Sequence, residues 1–296
     1  MVLFIAQEHK AFFGGGVITD RNRFICQSIF GEENTKLFIL PERNPGTWPT
    51  IKSFVNGYLL GLTSKIESEI IQYLKDHPQI KYVFIDNSML GRLASTLKKE
   101  FVDLHIIVFF HNVEIVFFST FIKTSKRYSH SIGMFSIYSN ERKAIQYADS
   151  IISLNERDSI ELLEKYGRSA DLILPSSLED KYQPDVIQPS VIGDPTSLLF
   201  VGSRFFANEE GIAWFIDEVM PKLENAHLTI VGKGFEELRD KWSNNQVTVV
   251  GKCKDLSPYY YKADIVVAPI FTGSGMKTKT AEALMYGKTI LASKEA

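Results

Sequence analysis

Cysteine is scarce: Cys26 and Cys253 are the two in the 296-residue chain. Two distant cysteines exclude a disulfide-stapled secreted scaffold and fit a pair of reduced thiols in a cytosolic protein. No run of about 18 apolar residues occurs, so no membrane-spanning helix is expected. The apolar opening at 2–6 has no basic residue ahead of it and is too short for a signal segment; it reads as a buried strand. Charge of one sign is also lacking, with 33 basic and 35 acidic residues and a net charge of −2. That balance excludes bulk attraction to nucleic acid, so any phosphate must be bound by locally placed basic groups. There is no Asp-x-Asp motif and no cluster with metal-ligand spacing, and metal-independent chemistry is expected. Low-complexity tracts and short-period repeats are missing as well.

What is present is enough for a substantial core: 45% of residues are apolar and 23% charged. The length suits roughly two domains. Short apolar runs at 2–6, 36–40, 82–86, 105–110, 150–154 and 171–174 alternate with helical patterns, among them 17–29, 54–75, 90–99 and 156–166. Such alternation implies βαβ units and a parallel sheet. Residues 175–197 hold four prolines and no sustained period, and read as a linker. A second alternating set follows, with strands at 198–202, 227–231, 246–250, 265–268 and 289–292. Its helices are expected at 209–223, 235–242, 256–261 and 277–286. The reading is therefore two Rossmann-like α/β domains, 1–178 and 179–296, with chemistry in the loops beyond the carboxyl ends of the strands.

The richest of those loops follows Ala268. The chain leaves a buried strand, turns on Gly273 and Gly275 around Ser274, and enters a helix through Lys277 and Lys279. Close backbone approach and unpaired amides at a helix start make an anion site. Lysines are unfavourable against the helix dipole there, and their presence points to a bound anion that compensates them. Glu282, about a turn further in, is placed to accept hydrogen bonds from ribose hydroxyls. The plainer reading is a glycine turn followed by a solvated basic face. Three more strand ends agree: Gly202 with Arg204 and the helix-capping residue Asn208, the Gly232-x-Gly234 turn, and Gly251 before 256–260. In the first half, Gly14, Gly15 and Gly16 precede the helical stretch at 17–29, either as a close-approach loop or as a flexible turn. His111-Asn112-Val113-Glu114 follows the apolar run 106–110. His111 either faces a ligand at the strand's carboxyl end or caps the next helix; Glu114 is expected to be structural, through its place in the first helical turn.

The order strand, Pro269, Gly273, Gly275, Lys277, Lys279, Glu282-Ala283, Gly287-Lys288 resembles glycosyltransferase family 4 and its relatives. The resemblance covers most of residues 1–292 and is tightest over 199–291. It implies the GT-B architecture, two Rossmann-like domains with parallel sheets facing across a cleft, the second apparently incomplete. It also implies a retaining, hexosyltransferase-like enzyme whose donor is a UDP or GDP sugar, bound as substrate with no separate cofactor. Arg204 would face the diphosphate, Gly251 and its neighbours the nucleobase, Gly15 and Gly16 the donor phosphates, and His111 the transferred sugar. Where many members carry an acid that touches the sugar, this chain has Ser274, as in a subgroup with Gly-Ser-Gly and a basic-x-Lys pair. Glu210 stands where a lysine is common, which moves phosphate neutralisation to Lys277 and Lys279.

The acceptor is expected to be a glycan or a lipid-linked molecule. The aromatic and basic stretch 117–128 is either a surface helix touching anionic lipid on the inner face of the membrane or a buried helix with a basic end. The chain would act in the cytoplasm, alone or as a homo- or hetero-oligomer. A sugar-nucleotide epimerase and a catalytically silent GT-B subunit supporting a partner are the alternatives. A dehydrogenase is disfavoured, because no Gly-x-Gly-x-x-Gly with a following acid succeeds either first strand.

Overall fold

The computed structural model describes residues 1–8, 14–41, 55–125, 133–186, 194–272 and 278–296. Its two compact units are Met1–Ser176 and, from Ser177 on, Ser177–Gly273 with Lys277–Ala296. The first runs β1 (Val2–Gln7), α1 (Gly14–Phe30), β2 (Thr35–Leu40), α2 (Ser64–Asp76), β3 (Tyr82–Ile85), α3 (Gly91–Glu100) and β4 (His105–Phe110). It continues with α4 (Glu114–Ser125), α5 (Met134–Tyr147), β5 (Ser150–Ser153), α6 (Glu156–Tyr166) and β6 (Leu172–Ile173). These strands form a six-stranded parallel sheet in the order β2-β1-β3-β4-β5-β6.

The second unit runs β7 (Thr196–Val201), α7 (Phe206–Trp214), β8 (Ala226–Val231), α8 (Arg239–Trp242), β9 (Val247–Gly251) and α9 (Ser257–Lys262). It closes with β10 (Ile265–Ala268), α10 (Thr278–Met285) and β11 (Thr289–Ala292). Its five strands are parallel in the order β11-β10-β7-β8-β9.

Alternate residues of each strand face opposite layers, which is why the sequence shows continuous apolar runs rather than alternation. In β1, Leu3 and Ile5 join one core while Val2, Phe4 and Ala6 join the other. In β7, Leu198 and Phe200 pack on one side and Leu199 and Val201 on the other. The direction of strand addition reverses between β1 and β3 in the first sheet and between β7 and β10 in the second. At such a switch point the two loops leave in opposite directions and open a crevice beyond the strand ends.

Helix boundaries follow local chemistry. Thr63 caps α2 by accepting from the Ile66 amide, and Asn155 caps α6 by accepting from the Asp158 amide. The expected helix over 54–75 is shorter than its period suggested. Gly57 and Gly61 take positive φ, and the helix begins only after the Thr63 cap; residue 54 lies outside the described residues. The helix expected over 209–223 is α7 followed by a π turn at Phe215–Val219 and a tight 3₁₀ turn at Met220–Lys222. The strand expected over 171–174 shrinks to the two-residue β6 at the sheet edge. Among the described residues no helix is long and apolar enough to cross a membrane.

Helices α3 and α5 approach so closely that a Cβ on Gly91 would lie 1.8 Å from the Asn140 carbonyl oxygen and 2.6 Å from the Ala144 nitrogen. Neither backbone atom can yield without moving a helix. Gly91→Ala should therefore lose about 1–3 kcal/mol of stability and lower the melting temperature of the chain by roughly 3–10 °C; calorimetry of the two proteins tests this.

Candidate functional site

In the second unit the site is built on the ends of β7, β8 and β9, which are laced together. The Gly202 amide donates to the Val231 carbonyl at 3.0 Å, and the Gly232 amide to the Gly251 carbonyl at 2.8 Å. Only glycine fits at 232, since a Cβ there would stand 1.8 Å from the Gly202 oxygen. Lys279, in the first turn of α10, brings its ammonium to this edge. It donates to Asn208 Oδ1, lies 5.2 Å from the Phe200 ring centre, and a Cβ on Gly202 would be 3.3 Å from its nitrogen. The amide oxygen and the ring face offset the dipole's opposition to a cation in that turn.

Carboxylates surround the rest of this edge. Arg204 donates from Nε to Glu209 Oε2 at 2.8 Å, from Nη2 to Glu209 Oε1 at 3.3 Å, and from Nη1 to Glu237 Oε2 at 2.6 Å. Glu236 accepts from the Gly234 amide at 2.8 Å and the Lys252 amide at 3.2 Å, tying the loops after β8 and β9 together. Amide donation, its own first, holds that carboxyl below its ordinary range. Glu282 accepts from the Tyr260 hydroxyl at 3.0 Å. Burial pushes the Glu282 carboxyl up, and the hydroxyl only partly opposes it. Tyr260 in turn stacks on Tyr286 at 4.6 Å, and the Tyr286 and Ser257 hydroxyls are 2.7 Å apart.

The first unit carries a separate polar cluster at its β1/β3 switch point. Asp86, directly after β3, is 3% exposed. It accepts from Thr19 Oγ1 at 2.5 Å and Asn22 Nδ2 at 2.6 Å, both on α1, and from His111 Nε2 at 3.2 Å. The same His111 nitrogen lies 2.8 Å from the Asp86 backbone oxygen. Nearby, Glu141 of α5 accepts from the amides of Glu114 and Ile115 at 2.8 and 3.0 Å, from Tyr166 Oη at 2.8 Å and from Ser88 Oγ at 3.3 Å. The start of α4 is thus capped by a neighbouring helix. Glu114 is buried beside it, and burial, with the Glu141 charge adding, pushes its carboxyl up to about 7.

Residues 195–296 match the family described as Glycosyl transferases group 1. No curated protein matches the chain by sequence. Among solved structures it is similar to sucrose-phosphate synthase from Thermosynechococcus elongatus, with TM-score 0.68 and 14% identity over 99% of this chain and 82% of that one. It is similar to WaaG, a glycosyltransferase involved in lipopolysaccharide biosynthesis, with TM-score 0.65 and 19% identity over 100% and 82%. It is also similar to HepE of Anabaena in complex with UDP-glucose, with TM-score 0.65 and 10% identity over 100% and 80%. The fold is GT-B.

Within that fold, the anticipated donor-side residues divide. Gly202, Asn208, Gly232, Gly251 and Lys279 meet at the strand ends, Arg204 lies in the adjoining loop, and Glu282 sits one turn along α10. Gly273, Ser274, Gly275 and Lys277 lie outside the described residues. Asn208 is not the helix cap expected of it: Phe205 occupies that position. The buried Asn208 amide instead donates to the Ser203 carbonyl at 2.6 Å while its oxygen takes the Lys279 ammonium. The glycine triplet is likewise not a loop ahead of a helix, because Gly14, Gly15 and Gly16 form the opening turn of α1. Their weak helix propensity, about 1 kcal/mol each against alanine, is outweighed by the packing of α1 on the sheet.

Of the stretch 117–128, residues through Ser125 belong to α4, with Phe117, Phe118 and Phe121 half-buried and Ile122 buried; 126–128 lie outside the described residues. The partners Asp86, Glu209, Glu237 and Tyr260 escaped the sequence reading. Asp86 had one usable signal, its place directly after the strand at the switch point.

Glu114 carries a pH dependence whose sign is fixed. Its folded-state pKa of about 7 stands above the ordinary 4.5, so its stabilising contribution is full below pH 4.5 and lost as pH rises through 7. The loss amounts to about 3 kcal/mol. Glu114→Gln should flatten the fall in melting temperature between pH 5 and pH 8 and melt above the parent at pH 8. Equal slopes in the two proteins would remove the buried carboxyl from the account.

Proposed function

We propose that the chain transfers a hexosyl group from a nucleoside diphosphate sugar to a glycan or lipid-linked hydroxyl, with the donor held by the second unit. The observation that carries this reading is the Lys279 ammonium, delivered by α10 and Asn208 to the glycine edge of β7 and β8. A positive group beside a backbone stripped of side chains suits a pyrophosphate, which needs both charge and close approach. The bond between the sugar's anomeric carbon and the terminal phosphate oxygen breaks. Negative charge then grows on the leaving diphosphate, where Lys279, Lys277, Arg204 and the amides opening α10 stabilise it. The acceptor hydroxyl attacks the anomeric carbon, and its proton passes to the departing phosphate oxygen, so the new bond forms on the face the leaving group vacates and configuration is retained. Phosphate charge is handled by side chains and amides throughout, which makes the reaction independent of metal.

Glu282, its carboxyl oriented by Tyr260, accepts from the ribose hydroxyls. Because HepE binds UDP-glucose, UDP-hexoses are the first donors to try and GDP-hexoses the second. The enzyme works in the cytoplasm or at the inner face of a membrane, where a lipid-linked acceptor is found. Epimerisation is separated from transfer by incubating the donor without acceptor and analysing the sugar released or rearranged.

Melting the chain with a panel of nucleoside diphosphates and their sugars tests the donor assignment, since a ligand of the native state raises its stability by mass action. One nucleoside diphosphate should raise the melting temperature, and Lys279→Met should weaken it about 10–100-fold while the corresponding nucleoside is affected little. Equal binding of the diphosphate by parent and variant would overturn the assignment. Lys277→Ala should lower turnover about 100-fold or more with the unliganded melting temperature nearly unchanged; turnover close to the parent's would remove Lys277 from the leaving-group site.

A further inference from the structure

Helix α7 meets the exit from β10 residue by residue. Gly211 leaves no room for a Cβ against the Pro269 carbonyl, so the helix backbone lies directly on the point where the chain leaves the strand. Ile270 is held from the other side, its amide donating to Ser293 Oγ at 3.0 Å and to the Ala268 carbonyl at 2.9 Å. Phe271 meets Trp214 of α7 edge to face, with ring centres 5.0 Å apart. Thr272 donates from Oγ1 to Glu210 Oε2 at 3.3 Å. Further along, the Lys279 ammonium reaches Asn208 Oδ1. Asn208 and Glu210 both stand near the start of α7, so one helix holds the chain at the exit from β10 and again at the entry to α10.

Trp214 and Phe271 are each 45% exposed, and Glu210 is exposed as well. None of the three fills the core on that side of the sheet, whose buried members include Ile212, Phe215 and Val267. Their contacts converge instead on the exit from β10. We propose that Glu210 is a positioning residue for the donor: acting through Thr272, with Trp214 on Phe271 beside it, it fixes that exit so that Lys279 already stands at the glycine edge when a diphosphate arrives. A segment ordered before its ligand comes loses less freedom on binding. The inference rests on the donor reading for its consequence in binding, and on side-chain geometry alone for the hold on Thr272.

An acid near a phosphate site needs a reason, since its charge repels the ligand. Here the reason is the Thr272 hydroxyl proton. The carboxylate accepts it without competing for Lys279, whose ammonium stays with Asn208. A lysine or arginine at 210 could only donate and would leave that proton to water. The two effects of Glu210 therefore oppose each other and have opposite signatures. If repulsion dominated, removing the carboxylate would tighten diphosphate binding. If the hold on Thr272 dominates, removing it loosens binding, the accepting oxygen matters more than the charge, and the effect requires Thr272.

The test uses the full chain with Glu210→Ala, Glu210→Gln, Thr272→Val and the double variant Glu210→Ala/Thr272→Val. Amide exchange of the unliganded protein, read by mass spectrometry over a peptide spanning 269–272, needs neither ligand nor activity. Glu210→Ala and Thr272→Val should each speed exchange there about 3–10-fold, and the double variant no more than either. Glu210→Gln keeps an accepting oxygen and should recover most of the protection. Exchange unmoved by Glu210→Ala, or lost equally in Glu210→Gln, overturns the proposal. Faster exchange in β7 and β8 as well would make Glu210 a residue of the fold, and overturns it too.

In the second arm, affinity for UDP or GDP, whichever the parent binds, should fall about 3–10-fold in Glu210→Ala and in Thr272→Val. The two losses should not multiply in the double variant, and Glu210→Gln should restore most of the affinity. Tighter binding by Glu210→Ala, or losses that multiply, overturns the positioning role. If the parent binds neither nucleotide, the donor reading fails, while the exchange measurement still decides whether Glu210 holds the exit from β10.

Discussion

A parallel strand buried on both faces has room for polar chemistry only beyond its carboxyl end, and that constraint organises both units. β1, β3 and β4 in one sheet and β7 and β8 in the other are apolar on alternate sides along nearly their whole length. Four of these strands then give way to a polar residue or a glycine: Asp86 after β3, His111 after β4, Gly202 after β7, Gly232 after β8. The switch points between β1 and β3 and between β7 and β10 add the crevice. Hence α1 and Asp86 share one switch point, while Gly202 and the end of β10 share the other.

The two units treat charge in opposite ways. In the first, Asp86, Glu114 and Glu141 are almost fully buried. Asp86 and Glu141 are surrounded by donors, so their lone pairs are satisfied locally. Burial still raises the Glu141 carboxyl against its donors, and Glu114 is driven further toward its neutral form, since burial and a neighbouring carboxylate both oppose ionisation. In the second unit the Arg204 ion pairs lie near the surface, where water shares the work and an exposed ion pair contributes about 0–1 kcal/mol. A rigid, titrating cluster and a loosely held charged rim are different tools. The first suits holding a ring in one state, the second suits exchanging partners when a polyanion arrives.

Much of this was legible from residue order. The buried strands announced themselves as apolar runs, and the glycine-bearing strand ends of the second half were visible because close backbone approach leaves no other residue possible at Gly232. Helix limits were less legible: the helical period ran straight through Gly57 and Gly61, whose backbone conformations end it. Partnerships were least legible of all. Asp86 meets Thr19 across 67 positions, and Lys279 meets Asn208 across 71. Nothing in local pattern encodes such a meeting. Asn208 shows the consequence: a helix-start asparagine suggests a cap, but a lysine from another helix claims its oxygen.

That claim bears on how the donor edge would take up a ligand. Arg204 is engaged by Glu209 and Glu237, the latter 71% exposed, so its ion pairs stand in solvent and yield little energy when exchanged for a phosphate. Lys279 differs, because its ammonium is only partly exposed and is held by a neutral amide oxygen and a ring face. Replacing the amide by a phosphate oxygen exchanges a neutral acceptor for a charged one at a half-buried position, where Coulomb attraction is stronger than in water. On the proposed donor reading, Lys279 would gain an anionic partner where Arg204 would only trade one for another, although guanidinium chemistry alone would favour Arg204.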